Sequence, residues 1–416
     1  MRMRIDWDKW EEILLTITRN KTRSLLTAFG IFWGIFMLVL LMGGGQGLQR
    51  IMASNFEGFA TNSCFTFTSS TTKAYKGFRK GRTWDLENKD VLLVRQSVPE
   101  LQVVSAINAR WGKQAERGNR KRGCTLKGQY PEYVEIETPH ISSGRYINDV
   151  DVLNKRKVCV IGKRIAEELF PDVNNPCGNW LRIDGVYYQV IGVNSSTSHS
   201  SVMGDVQSSV VIPFSTMQQI YRMGAWVSSI CFTVKPGYTV NEVAPKVESV
   251  LKRAHLIHPE DKQALQMINM ELMFQMVDNL FKGIRMLVWL IGLGTLLSGA
   301  VGVSNIMMVT VKERTTEIGI RRAIGARPKD ILWQILSESI LLTIIAGLLG
   351  ICMAVGILQL VEKGVSASMG QNISFQVSFM MALGAALLLA VLGALAGLAP
   401  AFRALAIKPI DAMRDE

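Results

Sequence analysis

Charged side chains concentrate in one short segment, ERTTEIGIRRAIGAR at 313–327, which lies between two long apolar runs. Four arginines and two glutamates occur within it. Glu317 precedes Arg321 by four positions, the spacing at which opposite charges pair along a helix surface. The chemistry of this segment is therefore charge pairing and surface contact, and we predict that a helix of about Thr315–Ile324 presents it.

The ends and the faces of this helix follow from its residue types. Gly325 suits the end of a helix, and Pro328 suits the first position of the next one. Ile320 and Ile324 stand one above the other with Ala323 beside them, and the neighbouring arginines point elsewhere. Two roles stay open for such a helix: it lies on anionic lipid, or it places its apolar face in a groove of a partner.

No pattern for catalysis or metal binding accompanies this segment. The sequence lacks GxxxxGK[ST], GxSxG and HExxH, so we expect no phosphate loop, no serine hydrolase or zinc protease, and no bound cofactor or metal. The six cysteines and four histidines show no metal-ligand spacing, although one or two disulfides stay open. Glu338, alone in an apolar run, is either a functional intramembrane acid or the partner of a nearby arginine.

Four apolar runs must position these residues, and each is long enough to cross a membrane as a helix. Core helices of soluble proteins seldom run so long without a polar face. We therefore predict an α-helical integral membrane protein with four transmembrane helices and a large α+β extracytoplasmic domain between the first two. The predicted transmembrane helices are 24–47, 284–311, 331–361 and 377–402.

Lysine and arginine in the short flanking segments set the predicted orientation. They are abundant in the N-terminal segment 1–23, which we interpret as an amphipathic helix, in the loop 312–330 and in the tail 403–416. The loop 362–376 holds a single lysine. We therefore predict that both termini and the loop 312–330 face the cytoplasm, whereas 48–283 and the short loop face outward.

Short alternating patterns in 48–283 predict a folded α+β domain. Val158–Ile161 is typical of a strand that leads into a helix ending near Phe170. Asp184 and Gly185 are typical of the type I′ turn of a hairpin. We predict two subdomains, namely a membrane-proximal one from 48–108 with 228–283, and a β-rich insert at 109–227.

The net charge of +12 includes two basic clusters in this outer segment, KGFRKGR at 76–82 and RGNRKRG at 117–123. Both are interrupted by glycine, and both lie on the side that faces away from the cytoplasm. We interpret them as solvated loops, or as contacts with anionic lipid or a partner, and we predict no nucleic-acid binding.

Small residues at helical spacing permit close contact between membrane helices. Three interpretations stay open: packing between two subunits, packing within one chain, and a mere consequence of the apolar composition. The predicted packing steps are Gly30 with Gly34, Ser298 with Gly302, and Gly393 with Gly397.

The sequence from Asn305 to Ile351 resembles the signature of the MacB/FtsX-type ABC transporter permeases. In that family an Asn-Ile-Met run ends the second span, a charged Glu-Arg…Glu-Ile-Gly-Ile-Arg segment follows, and a glutamate stands early in the third span. Here these positions are Asn305–Met307, 313–326 and Glu338. The entry to the first span and the C-terminal tail are also similar, so the resemblance covers a MacB-like periplasmic core domain and an FtsX-like permease domain.

The resemblance implies a coupling helix that contacts a nucleotide-binding subunit. ATP and Mg²⁺ would lie on that separate ABC ATPase, because MacB carries a fused N-terminal ATPase whereas only 23 residues precede the first predicted span here. The coupling-helix residues carried over are Glu313, Arg314, Glu317, Ile318, Gly319, Ile320, Arg321, Arg322, Ala323, Ile324, Gly325 and Ala326.

The resemblance further implies a homodimer or heterodimer in a bacterial inner membrane. The expected function is that of a permease subunit without its own ATPase, which passes ATP-driven motion to the outer domain to export a drug, peptide or lipoprotein-like cargo. Expected partners besides the ATPase are membrane lipids and, where an outer membrane exists, a periplasmic adaptor and an outer-membrane channel. Two alternatives stay open: an FtsX-like regulator of a cell-wall hydrolase, and a membrane sensor or anchor.

Overall fold

The computed structural model divides the chain into two compact units. The helical unit comprises 1–51 and 280–416, and the sheet unit comprises 52–279. Most of the predicted N-terminal helix at 1–23, and most of the tail at 403–416, lie outside the described residues. The structure describes residues 21–54, 58–196, 202–369, 375 and 379–407.

The first helix, α1 (Lys21–Ser54), has no charged residue between Arg23 and Arg50. The strands and helices of the sheet unit follow in chain order. They are β1 (Ser63–Thr68), β2 (Leu86–Glu87), α2 (Asn88–Ser97), β3 (Leu101–Arg117), β4 (Arg120–Gln129), a 3₁₀ turn (Pro131–Glu135), β5 (Ile141–Gly144), α3 (Asp149–Leu153), β6 (Val158–Gly162), α4 (Lys163–Leu169), β7 (Trp180–Ile183), β8 (Val186–Asn194), β9 (Ser209–Pro213), α5 (Phe214–Ile220), β10 (Trp226–Val227), β11 (Ser229–Val234), α6 (Val240–Ala254) and β12 (Leu265–Asn269).

Four further helices complete the chain. They are α7 (Met270–Glu313), α8 (Thr315–Ala323), α9 (Pro328–Met369) and α10 (Phe379–Leu405). Four of the described helices, α1, α7, α9 and α10, are long and apolar enough to cross a membrane. They confirm the predicted fold class, whereas the membrane boundaries stay predictions. The helix α9 continues to Met369, beyond the predicted start of the short loop at 362, and the bounds of that loop stay a prediction.

One large sheet organises the sheet unit. Nine of its ten strands run in the order β12-β1-β11-β3-β4-β9-β6-β8-β5, and the tenth, β7, pairs with both β3 and β8. The pairs β4·β9 and β6·β8 are parallel, and the remaining pairs of this sheet are antiparallel. The strand β3 runs across the predicted boundary at 108/109, so the two predicted subdomains share a strand, and their division stays a prediction.

The hairpin expected at Asp184 and Gly185 is present. Ile183 pairs with Val186, which leaves a two-residue loop between β7 and β8. Both loop residues have positive φ, 48° at Asp184 and 82° at Gly185, as a type I′ turn requires. This local prediction succeeded because the turn depends on the two residues themselves.

Two apolar clusters hold the sheet unit together. The helix α6 buries Val243, Val247 and Leu251 against strands β1, β3 and β11, as its helical spacing of apolar residues requires. A second cluster packs Ile165 and Leu169 of α4 onto strands β4, β6, β8 and β9. Side chains of this size contribute about 1.5–3 kcal/mol each when fully buried, so the sheet unit has substantial cores of its own.

All six cysteines are free thiols, and the sheet unit buries four of them. Burial raises the pKa of Cys64 to about 12 and that of Cys124 to about 11. It raises the pKa values of Cys159 and Cys231 as well. These thiols therefore stay protonated at neutral pH.

The helices of the helical unit approach closely at several glycines. A Cβ on Gly30 would lie 3.4 Å from the Cα atom of Gly299, and one on Gly34 would lie 3.2 Å from the Leu296 side chain. These contacts join α1 to α7. A Cβ on Gly393 would lie 3.0 Å from the Cα atom of Ile340, which joins α10 to α9.

The predicted step Ser298–Gly302 does not make such an approach within this chain. Ser298 is exposed, and a Cβ on Gly302 would meet nothing within 4 Å. Gly299, one position from Ser298, makes the close contact with α1 instead. A packing role of Ser298 and Gly302 against a second subunit stays a prediction.

Candidate partner-docking site

The helix α8 begins and ends where the sequence predicted. A break at Arg314 alone separates it from α7, and α9 begins at Pro328. Gly325 has φ of 103°, its N–H donates to the carbonyl of Arg322, and the next N–H donates to the carbonyl of Arg321. This pair of hydrogen bonds is a Schellman motif, which needs glycine because other residues rarely adopt that φ.

The helix α8 has two opposite faces. Ile320 and Ile324 are 44% and 82% exposed, and Ala323 is exposed beside them. Ile318 and Gly319 are buried against the rest of the helical unit. Successive residues are rotated by about 100° around a helix, so this order produces an apolar outer face and a packed inner face.

Two side-chain contacts join α8 and its preceding residue to α9, and a third contact lies within α8. Arg314 Nη1 lies 3.2 Å from Glu338 Oε1 on α9, and the Glu338 side chain is 9% exposed. Arg321 Nη1 donates to Gln334 Oε1 at 3.1 Å, and its Nη2 lies 2.8 Å from Glu317. Glu338 thus pairs with a nearby arginine, one of the two roles expected for it.

Arg322 makes a different kind of contact. Its Nη1 donates to the backbone carbonyls of Leu405 at 2.8 Å and Ile407 at 2.5 Å. Leu405 is the last residue of α10, and Ile407 lies two residues beyond it. The last carbonyls of a helix have no donor within that helix. Arg322 therefore supplies the missing donors to a segment 83 positions away in the sequence.

A surface pocket of about 420 Å³ lies on the inner side of α8. Its apolar walls come from Met307, Val311 and Ile318 and from Ile331 and Ile335 of α9. The ion pair between Arg314 and Glu338 forms part of its polar lining. The pocket is therefore part of the packing between α7, α8 and α9, and the face with Ile320 and Ile324 lies outside it.

The predicted coupling residues are thus divided between two surroundings. Glu313, Ile320, Ala323, Ile324 and Gly325 are exposed, and Glu317 is exposed although it pairs with Arg321. The remaining residues lie partly or fully buried against the helical unit, namely Arg314, Ile318, Gly319, Arg321, Arg322 and Ala326.

Sequence reasoning did not identify the partners on the other helices. Gln334, the two carbonyls at the end of α10, and the close approach of Gly350 to Phe32 were not predicted. Gln334 lies one turn before Glu338, so a polar pair in an otherwise apolar run was an available signal. The contacts of Arg322 with backbone carbonyls leave no pattern in the sequence, because every residue has a carbonyl.

The two basic clusters differ in their surroundings. In the cluster 117–123, Arg120 pairs with Asp172 at 2.9 Å, and Arg122 pairs with Glu168 at 2.7 Å. In the cluster 76–82, Arg82 lies over the Phe78 ring. Among the described residues, no ion pair is made by the other cationic side chains of that cluster, namely Lys76, Arg79 and Lys80. The first cluster is therefore largely neutralised within the chain, and the second remains a basic loop.

A second pocket, in the sheet unit, is lined by buried polar groups. The ammonium of Lys127 donates to the Gly204 carbonyl at 3.0 Å, and the hydroxyl of Tyr133 donates to Glu137 at 3.0 Å. Burial lowers the pKa of Lys127, and the charges of Glu137 and Asp205 oppose this effect. Because each of these groups has a hydrogen-bond partner within the sheet unit, they stabilise the local fold. Over the described ranges, no cluster of His, Cys, Asp and Glu suits a metal ion.

Residues 24–250 match the MacB-like periplasmic core domain, and residues 289–409 match the FtsX-like permease C-terminal domain. The chain belongs to the MacB/FtsX-type ABC transporter permease family. The family indicated by Asn305–Ile351 is thereby confirmed. The four apolar helices make the chain a multi-pass membrane protein of this family.

Curated export proteins of two kinds are among those similar over nearly the whole chain. The pyoverdine export ATP-binding/permease protein PvdT of Pseudomonas fluorescens is 28% identical over 402 residues, which is 95% of this chain and 58% of that protein. The macrolide export ATP-binding/permease protein MacB of Bdellovibrio bacteriovorus is 28% identical over 405 residues, which is 96% of this chain and 60% of that protein. The chain thus spans about three fifths of the length of these relatives.

Several solved structures resemble the chain in part. Among them is the periplasmic region of MacB from Actinobacillus actinomycetemcomitans, with 22% identity and a TM-score of 0.42, and the match covers 54% of this chain and 96% of that chain.

Proposed function

We propose that this chain is the permease of an ABC exporter in a bacterial inner membrane, with both termini in the cytoplasm. The helix α8 is its docking element for a nucleotide-binding partner. The observation that carries this proposal is the apolar outer face formed by Ile320, Ala323 and Ile324. Such a face, on a helix held from behind, suits a groove on a partner protein.

The arginines of α8 favour a protein partner over a lipid surface. A helix that lies on a membrane keeps its arginines free for lipid headgroups. Arg321 and Arg322 instead bond to Gln334 and to the end of α10. The face left for a partner is apolar, and it is short enough to enter a groove as a single contact.

The proposed mechanism uses this contact as a mechanical link. We assign ATP, Mg²⁺ and the hydrolysis of ATP to the nucleotide-binding partner, since these 416 residues hold no phosphate-loop motif. Closure of the partner around ATP displaces α8, and the apolar helices pass the displacement to the sheet unit. This is a change of population between two arrangements, driven by the differential binding of ATP to them.

Export is the proposed direction of transport. Both curated relatives bear export in their names, one for pyoverdine and one for macrolides. We propose a drug, peptide or lipoprotein-like cargo, a dimer of permeases, and additional contacts to an adaptor and an outer-membrane channel. No feature of the described residues specifically favours the hydrolase regulator or the sensor.

The test is co-purification of the tagged full chain from its native membrane in mild detergent, with bound proteins identified by mass spectrometry. We expect an ABC ATPase with the wild-type chain and at least a tenfold loss, roughly 1.4 kcal/mol or more, with Ile324→Glu. The cause is a carboxylate forced into an apolar groove.

Lys329→Glu is the matched control, since it also places a carboxylate on the same loop but at an exposed position on α9. It should retain the ATPase. Equal retention by Ile324→Glu and Lys329→Glu would show that the partner binds elsewhere, and absence of any ATPase with the wild-type chain would refute the proposal.

A further inference from the structure

The contact between Arg322 and the end of α10 links two helices of this chain and is separate from the face proposed to bind the partner. We infer that Arg322 is a positioning residue that makes α10 follow any displacement of α8. This inference rests on the proposed function, because it concerns how a push on the outer face of α8 spreads to the apolar helices.

Within the described residues, no other donor contacts the carbonyl oxygens of Leu405 and Ile407. The helix ends at Leu405, and the next residues turn back with their N–H groups bonded to Phe402, Arg403 and Ala404. The carbonyls of Leu405 and Ile407 point to the guanidinium of Arg322, which is positively charged at all physiological pH values. A cation at a helix C-terminus is also favoured by the helix dipole.

Arg322 lies on the inner face of α8, opposite Ile324. A load applied to Ile320 and Ile324 therefore reaches Arg322 through less than one helical turn. The helix α9 receives the same load through different atoms, since Arg314 pairs with Glu338 and Arg321 bonds to Gln334. The contacts to α9 and α10 can thus be separated by mutation.

Apolar packing between α8 and α10 is the alternative way in which a displacement could pass between them. Ile318 and Ile407 belong to the same apolar cluster, and Ala401 and Ala404 are fully buried in it. Apolar packing resists separation but has little direction, whereas a charge-assisted hydrogen bond holds two groups at one distance and angle. The bond is therefore the element that transmits a directed displacement.

The experiment is hydrogen exchange of the full chain with its co-purified ATPase, with and without ATP. Peptides from α10 and from α9 are compared in the wild type, Arg322→Ala and Arg322→Lys. We expect Arg322→Ala to bind the ATPase within about twofold of the wild type, while the ATP-dependent change in α10 peptides falls about tenfold. The change in α9 peptides should persist.

Arg322→Lys should restore part of the α10 response, because an ammonium reaches a carbonyl but lacks the planar fork of a guanidinium. Arg327→Ala is the matched control. Arg327 is exposed on the same loop, with no ion pair or side-chain hydrogen bond in the described part of the chain. It should behave as the wild type. If Arg322→Ala does not fold, Arg322→Met takes its place, since methionine keeps a long side chain and has no donor group.

The outcomes separate this inference from the proposed function. An undiminished ATP response of α10 in Arg322→Ala would overturn the inference while leaving docking intact. Loss of the ATPase from Arg322→Ala in a folded chain would make Arg322 part of the docking surface instead. Retention of the ATPase by Ile324→Glu would overturn the proposed function itself.

Discussion

The arginines of this chain have different roles, and each role depends on the kind of oxygen that the guanidinium contacts. Arg314 pairs with a buried carboxylate, Arg322 with backbone carbonyls, and Arg120 with an exposed aspartate. The exposed pair contributes about 0–1 kcal/mol, because water screens it. Removing one partner of a buried pair costs several times more, since the other charge then lacks compensation.

Asp261 shows the same principle in the sheet unit. Its burial would raise its pKa, but hydrogen bonds from the hydroxyl and N–H of Thr72 and from the N–H groups of Lys73 and Gln263 outweigh this and lower the pKa to about 2. A carboxylate with a lowered folded-state pKa adds stability at pH values above its ordinary pKa. That stability is lost as the pH falls through about 4 to about 2.

We predict that Asp261→Asn lowers the stability of the sheet unit by about 2 kcal/mol at pH 7 and removes this acid-dependent part. Hydrogen exchange at Thr72 and Lys73 should become faster, because their N–H groups lose a charged acceptor. Asp172→Asn is the control, since its side chain is exposed and pairs only with Arg120 in the described residues. Equal hydrogen-exchange rates of Thr72 and Lys73 in the wild type, Asp261→Asn and Asp172→Asn would contradict the assigned role of Asp261.

At the scale of elements, the helices of the helical unit pack closely at glycines, where a larger side chain would not fit. A Cβ on Gly350 of α9 would lie 2.7 Å from the backbone oxygen of Phe32, and one on Gly397 of α10 would lie 2.2 Å from Ser339 Oγ. Ser339 Oγ also donates to the carbonyl of Gly393 at 2.9 Å, which adds a buried polar link between α9 and α10. Such small-residue contacts are how helices associate in lipid.

We predict that Gly350→Ala lowers the free energy of unfolding of the chain in detergent by about 1–3 kcal/mol, because backbone atoms must move to admit the methyl group. The change is measured as a lower melting temperature. Gly356→Ala is the matched control on the same helix, where a Cβ would meet nothing within 4 Å. It should be neutral or slightly stabilising, since alanine favours a helix. Equal effects of the two changes would mean that α1 and α9 do not pack at Gly350.

The sequence was most informative where structure depends on neighbouring residues. The bounds of α8 follow from Gly325 and Pro328, and its exposed face follows from the spacing of Ile320 and Ile324. The partners of its arginines could not be predicted, because they lie on other helices and depend on the packing of the whole unit. The same reason explains why Gly299 rather than Ser298 contacts α1.

At the scale of the whole molecule, the helical unit is suited to a lipid environment and the sheet unit to water. The helical unit leaves many large apolar side chains exposed, such as Trp33, Leu290 and Leu360, as expected for contact with lipid or a second subunit. The sheet unit instead buries its apolar residues in cores of its own. It therefore has what a domain needs to fold independently.

We predict that a fragment of residues 52–279 is soluble and unfolds cooperatively on heating, as followed by circular dichroism. Val243→Asp should abolish the transition, because it places a carboxylate in the core beneath α6. Lys246→Asp, on the same helix but exposed, should leave a transition in place. A wild-type fragment without any cooperative transition would show that the sheet unit needs the membrane helices to fold.

The buried thiols have a practical consequence for following motion in this protein. Cys64, Cys124, Cys159 and Cys231 are enclosed in the sheet unit, so a maleimide probe will not reach them while the chain is folded. Only Cys177 and Cys352 then compete with a cysteine introduced for labelling. Replacing these two by serine and alanine creates a background in which a fluorophore or spin label reports from one chosen position, with the core thiols left in place.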